Sequence, residues 1–316
     1  MAYEAGDTIL DDEYNTFVNS SSDPYGYNHF AGVGSGEYGL NQTAIDTKTA
    51  GDTITAANWN TLFTGLTNIA NHTNVSITST SVTAGDTIAI KSALITDLAN
   101  LAAAVAGGST SATAIDTAAA GASTNSGTWN SSSTIERSVT FANNATMRAY
   151  FNAGGFFRIV ASTSGSTDGD KDTAFSDLGS AIGNLDLKAQ STTRGGSGET
   201  LTTNGLSNGF HNLSTGYTTL IKLTSDNSGY TSNTLEISAK LDAAVGSATV
   251  LTIKQVATDG ADDDTYTSGN LDSVPTNPNE APAMVLTITE HFPDDTQGLA
   301  SDIRTASNAQ VSNSQS

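Results

Sequence analysis

The pentapeptide Ala-Gly-Asp-Thr-Ile occurs three times in the first third of the chain, beginning at Ala5, Ala50 and Ala84. A recurrence of that kind marks the segment as an array of like supersecondary units. Behind the first two copies the likeness continues. Ile9 is followed by Leu10-Asp11-Asp12-Glu13-Tyr14-Asn15-Thr16-Phe17 and Ile54 by Thr55-Ala56-Ala57-Asn58-Trp59-Asn60-Thr61-Leu62, so an aromatic-Asn-Thr-apolar unit returns at the same offset. The third copy keeps the head but puts no aromatic where Tyr14 and Trp59 stand.

Each unit reads as a turn, a short extended piece and a helix start. Gly51-Asp52 is turn chemistry, because Gly tolerates positive φ and Asp bonds its own neighbouring backbone. Thr55 is placed to cap the helix that follows. Trp59, Leu62, Phe63, Leu66, Ile69 and Ala70 recur at offsets of three and four, which sets them on one helical face. Leu94, Leu98, Leu101 and Val105 repeat that spacing in the third unit. Helices this short are marginal alone in water, where about 12 to 15 residues are needed even by good helix formers, so the apolar faces must be covered. Two coverings are open: the helices form one intramolecular subdomain, or they dock on partner chains through Tyr14, Phe17, Trp59, Leu62, Phe63 and Leu66, aromatic anchors of the kind that concentrate interface energy.

Only 14% of the residues are charged, and the formal net charge is −20, from 12 Lys plus Arg against 32 Asp plus Glu. A surface that tracks phosphates is therefore not expected, so the chain is read as binding no nucleic acid. Acidity also works against attraction to anionic membrane and favours solubility at high local concentration. Cysteine is absent, which removes disulfides, thiolate metal sites and cysteine nucleophiles. Met1-Ala2-Tyr3-Glu4 lacks the basic start and apolar core of a signal peptide, and no stretch approaches the ~20 apolar residues of a membrane span. Neither secretion by the general route nor membrane insertion is expected.

The expected organisation has four parts. Residues 1–101 form the helical-repeat docking or oligomerisation region. It includes a Gly- and Tyr-rich loop with Tyr25, Tyr27, Phe30 and Tyr38, which either contacts a partner or covers local apolar surface. Residues 102–126, rich in Ala, Gly, Ser and Thr, form a linker too poor in large side chains to fold alone. Residues 127–293 alternate in short β-branched and apolar runs, at Ile135 to Phe141, Phe156 to Ala161, Tyr217 to Leu223, Leu235 to Leu241, Thr249 to Val256 and Met284 to Thr289, separated by turn-rich segments. Arg137 is the exception on the apolar face of its run. Two short helices interrupt these strands, Ala145 to Asn152 capped by Asn143 or Asn144, and Thr173 to Ile182 capped by Asp172. Residues 294–316 are a polar tail, disordered or ordered only against neighbours. The fold class is mainly β, a β-sandwich of jelly-roll or Ig-like type preceded by short helical repeats.

The segment Ala50-Gly51-Asp52-Thr53-Ile54-Thr55-Ala56-Ala57-Asn58-Trp59-Asn60-Thr61-Leu62, with Arg148-Ala149-Tyr150-Phe151-Asn152-Ala153-Gly154-Gly155 further on, resembles virion structural proteins of tailed bacteriophages, particularly those of marine and cyanobacterial hosts. In that group a Trp-Asn-x-Leu segment precedes a β-rich domain containing a Phe-Asn-x-Gly-Gly motif. The resemblance is best over residues 50–72 and 138–161. It implies a non-enzymatic virion component, tail-associated as a fibre or accessory protein, assembled in the host cytoplasm and released by lysis. Its partners would be other virion proteins and copies of itself, with a trimer favoured. The alternatives are a capsid or neck decorating protein, or a receptor-binding module in which Tyr217, Tyr230 and Tyr266 stack against host surface glycan.

No catalytic set stands out. The Gly-x-Ser-x-Gly elbow and the phosphate-loop ending are absent, and His29, His72, His211 and His291 lack metal-ligand spacing. No carboxylate pair is singled out for glycoside cleavage. Two acidic runs are calcium candidates: Asp168, Asp170 and Asp172, and then Asp259, Asp262 and Asp264. The first is not an EF-hand, since Thr173 stands where the turn Gly belongs and Gly179 where the bidentate Glu belongs. Helix capping and a solvated hairpin tip explain the same acids without an ion.

Overall fold

A computed structural model describes residues 11–32, 34, 36–79, 81–83, 91–118, 120–125, 129–165, 169–261, 281–299 and 303–315. The chain divides into two compact units. The first comprises residues 1–117, 143–155 and 291–304, and the second residues 118–142, 156–290 and 305–316.

The first unit is helical. It contains α1 (Asp11–Asn19), α2 (Tyr27–Phe30), α3 (Ala56–Thr73), α4 (Lys91–Ala106), the short strand β1 (Ile115–Thr117) and α5 (Asn144–Asn152). Thr55 caps α3 as expected, in a reciprocal box: Asn58 N–H donates to Thr55 Oγ1 at 3.4 Å and Thr55 N–H donates to Asn58 Oδ1 at 2.9 Å. Such a box satisfies two backbone donors that a helix start otherwise leaves open. At the other end Asn74 takes the left-handed conformation, φ 56°. The apolar stripe of α3 and the Leu94, Leu98, Leu101 and Val105 stripe of α4 are all buried, and α1 to α4 pack on one another. Asn143 caps α5 by accepting from Thr146 N–H at 2.9 Å. β1 pairs antiparallel with His291–Pro293.

The second unit carries β2 (Gly121–Asn125), β3 (Ser132–Thr140), β4 (Phe156–Ser164), α6 (Gly169–Ile182), β5 (Leu185–Leu187), β6 (Thr192–Arg194), β7 (Thr200–Asn204), β8 (Thr218–Thr224), β9 (Thr234–Leu241), β10 (Val250–Thr258), most of β11 (Ala283–Pro293) and β12 (Ser307–Gln315). Among the described residues the strands form two antiparallel six-stranded sheets. One runs β1-β11-β4-β5-β6 with β2 also on β11; the other runs β12-β3-β10-β9-β8-β7. The protein is thus mainly β, and a strand covers each of the six runs expected from the alternation. In β3 the burial alternates without a break, and Ser133, Ile135, Arg137 and Val139 point inward. Arg137 Nη1 of β3 donates to Ser123 Oγ of β2, and Phe141, just after β3, lies 6.2 Å from Phe157 of β4. Helix α6 packs Phe175, Leu178 and Ile182 inward, in contact with β4, β8 and β9.

Three expectations are corrected. The segment 102–126 is not a bare linker: α4 runs to Ala106, and β1 and β2 follow. Its small side chains are what permit this, because a Cβ at Gly121 would strike the Arg137 guanidinium and Asn308. The polar tail is ordered against its own chain. β12 pairs with β3 from Ser307 to Gln315, with a bulge between Gln310 and Ser312, and backbone bonding supplies what its few apolar residues cannot. Helix α6 starts at Gly169, so Asp172 sits within its first turn and is not its cap.

Candidate functional site

The residues singled out for docking converge in the first unit. Tyr14 and Trp59, equivalent in the two repeats, meet edge to face at 5.3 Å and 85°, Phe17 lies 5.8 Å from Trp59, and Phe63 stacks 6.1 Å beyond it. Such edge contacts suit the quadrupoles of aromatic rings. Tyr14, Phe17, Trp59, Leu62, Phe63 and Leu66 are each no more than 4% exposed. The docking reading of these six is therefore corrected: they cover one another within one chain, and no ring is left standing out as an anchor. Burial raises the Tyr14 pKa, and its hydroxyl donates to Asn58 O at 3.3 Å.

Beside this core runs a groove of about 540 Å³, floored by Asn58, Thr61, Gly65 and Asn68 of α3 and walled by the extended segment 42–48. Tyr27 closes one side. Its hydroxyl donates to Thr43 O at 3.3 Å, and burial pushes its pKa up to about 12. Gly65 permits this close approach, since a Cβ there would come within 2.7 Å of the Tyr27 ring.

What holds the extended segments is a set of asparagine clasps that sequence reasoning missed. Asn15 Nδ2 donates to Lys48 O and Lys48 N–H donates to Asn15 Oδ1, both at 2.7 Å. Asn60 does the same to Val82, both bonds at 2.8 Å. The two asparagines hold the same repeat position, ten residues after Ala5 and Ala50, and the residues they clasp stand two before Ala50 and Ala84. Each repeat thus grips the backbone that leads into the next. The third repeat has Leu94 at that position. Asp97 instead reaches back, accepting from Thr78 N–H at 3.1 Å and Ser79 N–H at 2.8 Å. Asn28 forms a further two-point clasp on Ile45. The signal in the sequence is the recurrence of asparagine itself at that offset, Asn15 and Asn60, while nothing marks the residues they hold. The turn at the second head is as expected: Asp52 Oδ2 accepts from Thr49 N–H at 2.8 Å, which lowers the Asp52 pKa, and Gly51 has φ 96°.

The two segments that carry the bacteriophage resemblance meet in this unit. His72, on the last turn of α3, makes a 2.8 Å bond through Nε2 to Ala153 O. Only a protonated Nε2 can donate to a carbonyl, so Nδ1 is left bare and buried without a partner. Burial lowers the His72 pKa, partly offset by that bond and by Asp294. Asn152 of α5 donates to Tyr38 O at 2.9 Å and so fastens the Gly-rich loop. In that loop Tyr25 stacks on His29 at 3.9 Å, with Tyr38 4.6 Å from His29, while Tyr27 and Phe30 are buried. The Tyr150 to Gly155 motif thus belongs to the helical unit and not to the β-rich one, where sequence reasoning set it. No known protein family, curated protein or solved structure matches the chain.

The other candidates scatter. Asp168, Asp262 and Asp264 and the Asp170 side chain lie outside the described residues. Asp259 is buried in an ion pair with Lys171 at 2.7 Å. Among the described residues no group of three or more His, Asp or Glu side chains is placed to hold a metal, and no helix is long and apolar enough to cross a membrane. Of the glycan-stacking candidates, Tyr266 is outside the described residues and Tyr230 is buried. The Tyr217 ring is occupied by Lys254 and Lys240, whose ammonium groups lie 3.8 and 4.4 Å from its centre, and its hydroxyl donates to Glu136 at 2.6 Å. Burial and that bond raise its pKa.

Proposed function

We propose that the chain is a structural subunit of a tailed-bacteriophage virion, tail-associated and without catalytic activity, and that the two facing sheets of its second unit form a β-sandwich. The observation that carries this reading is where the polar side chains are spent. Asn15, Asn28, Asn60, Asn143 and Asn152 each bond backbone of the same chain, so the polar groups of the repeat unit hold its framework. The bacteriophage resemblance supports it from the sequence side, since its two best-matched segments come together through the bond between His72 and Ala153 O. The low charge density and Ser/Thr/Asn-rich composition suit dense packing among like subunits. Calcium and host glycan have no comparable support. Mass spectrometry of gradient-purified particles of the phage encoding the chain tests the proposal: the protein is expected in fixed, multiple copies per particle. Its presence only in the particle-free fraction of the lysate would overturn it.

A further inference from the structure

The ion pairs of the second unit differ sharply in burial. Arg158–Asp186 and Lys222–Glu236 keep side chains that are 13% to 33% exposed, whereas those of Lys171 and Asp259 are at 4% and 0%. Lys171 stands in the first turn of α6, and Asp259 directly follows β10, 88 residues further on. Nζ lies 2.7 Å from Oδ2, so Cγ is at most one carbon–oxygen bond further away, close to the about 3–3.5 Å of a near-attack arrangement. The carboxylate is held in place through its backbone. Asp259 N–H donates to Ser131 O at 3.0 Å, and Asn233 Oδ1 accepts from Gly260 N–H and Ala261 N–H, both at 3.0 Å. Asp259 Oδ1 is buried with no hydrogen-bond partner, as is Asn233 Nδ2. Phe175, one turn along α6 from Lys171, is buried 5.0 Å from the ring of Trp129. A buried ion pair is a costly arrangement unless its remaining lone pairs are also satisfied, and one oxygen of this pair is not.

We infer that Lys171 and Asp259 condense to an amide, an isopeptide crosslink within the second unit. A proton passes from Nζ to the carboxylate, and the neutral amine, the nucleophile that a desolvated lysine supplies, attacks Cγ. The Nζ–Cγ bond forms and one Cγ–O bond breaks. The departing oxygen takes two of the three ammonium protons and leaves as water. Ammonium and carboxylate thus become amide and water, with no oxidant or other reagent. Exclusion of water from the site protects the product from hydrolysis. The amide carries no charge, so the desolvation cost of two buried ions disappears. It also closes a loop across 88 residues in a chain without cysteine, restricting the unfolded state as a disulfide would.

The intact mass of the folded full-length chain, after incubation at neutral pH, reads the step directly. The parent chain is expected to be lighter by one water than its sequence requires. A digest should contain one branched peptide joining the segments around Lys171 and Asp259, with tryptic cleavage after Lys171 lost. Lys171→Arg keeps a cation beside Asp259 but offers no amine to condense, and it should retain the full sequence mass. Asp259 precedes Gly260, a pair that can also lose water by closing a succinimide on its own backbone. That reaction leaves no branched peptide and does not need Lys171. A parent chain at full sequence mass, a water loss without the branched peptide, or the same loss in Lys171→Arg would each overturn the inference.

Discussion

Replacing Asn60 by Ala removes both bonds that fix Val82, the donor to its carbonyl and the acceptor from its N–H, each at 2.8 Å. Val82 is only 5% exposed, so its backbone groups are poorly placed to find water. An intramolecular hydrogen bond contributes about 0.5–1.5 kcal/mol net, and a buried group left unpaired costs about 1–3 kcal/mol. Asn60 itself is half-buried, which keeps the loss near the lower end, about 2 kcal/mol. Ala is the better helix former by about 0.6 kcal/mol, so the observed destabilisation should be ~1.5 kcal/mol, a roughly tenfold shift in the opening equilibrium. Hydrogen exchange at the Val82 amide reads that shift directly, and denaturant unfolding reads its global part. Asn71→Ala, an exposed site on the same helix, controls for helix propensity and should be neutral or slightly stabilising. Asn15→Ala should act in the same direction at Lys48 but cost less, because Lys48 is only half-buried. An Asn60→Ala chain within a few tenths of a kcal/mol of Asn71→Ala, with Val82 exchange unchanged, would refute the clasp as the element that joins repeats.

The first unit should also lose stability in acid through His72. Its folded pKa lies below 6.5, so the unfolded chain takes the proton first. The contribution is whole above about pH 6.5 and is lost as pH falls through the lower folded value, and His72→Gln, which retains a donor to Ala153, should flatten that slope in thermal melts. Asp259→Ala breaks the buried ion pair with Lys171 in the second unit and should cost about 3–5 kcal/mol in chemical denaturation. Gly65→Ala drives a methyl into the Tyr27 ring and should destabilise the first unit by about 1–3 kcal/mol, measurable as a lowered midpoint.

Strands were legible where burial alternates on one face, and the six β-branched runs became β3, β4, β8, β9, β10 and β11. Even Arg137, which broke the alternation, is inward, because Ser123 and Asn308 receive its guanidinium. Helix α3 was legible from its cap and periodic face, and α5 from its cap. β2 and β12 were not, since their side chains are small or polar and pairing in a sheet depends on a partner strand distant in sequence. The six aromatic and aliphatic anchors were correctly read as needing cover. What the pattern could not say was whether the cover came from this chain or another, because the contact between Tyr14 and Trp59 spans two repeats. The asparagine clasps were hidden for a related reason: an amide that bonds backbone imposes no identity on the residue it holds, and Lys48 and Val82 share nothing but position.

The central claim is that the apolar faces of the repeats are covered within one chain. It is tested most directly in a Trp129→Phe variant, which leaves Trp59 as the only tryptophan, by following iodide quenching of its fluorescence alongside native mass as the protein is diluted. Trp59 should stay shielded even where the mass is that of a single 32.3 kDa chain. A Trp59 that becomes open to iodide as subunits separate would contradict the claim and return the repeats to the role of docking anchors.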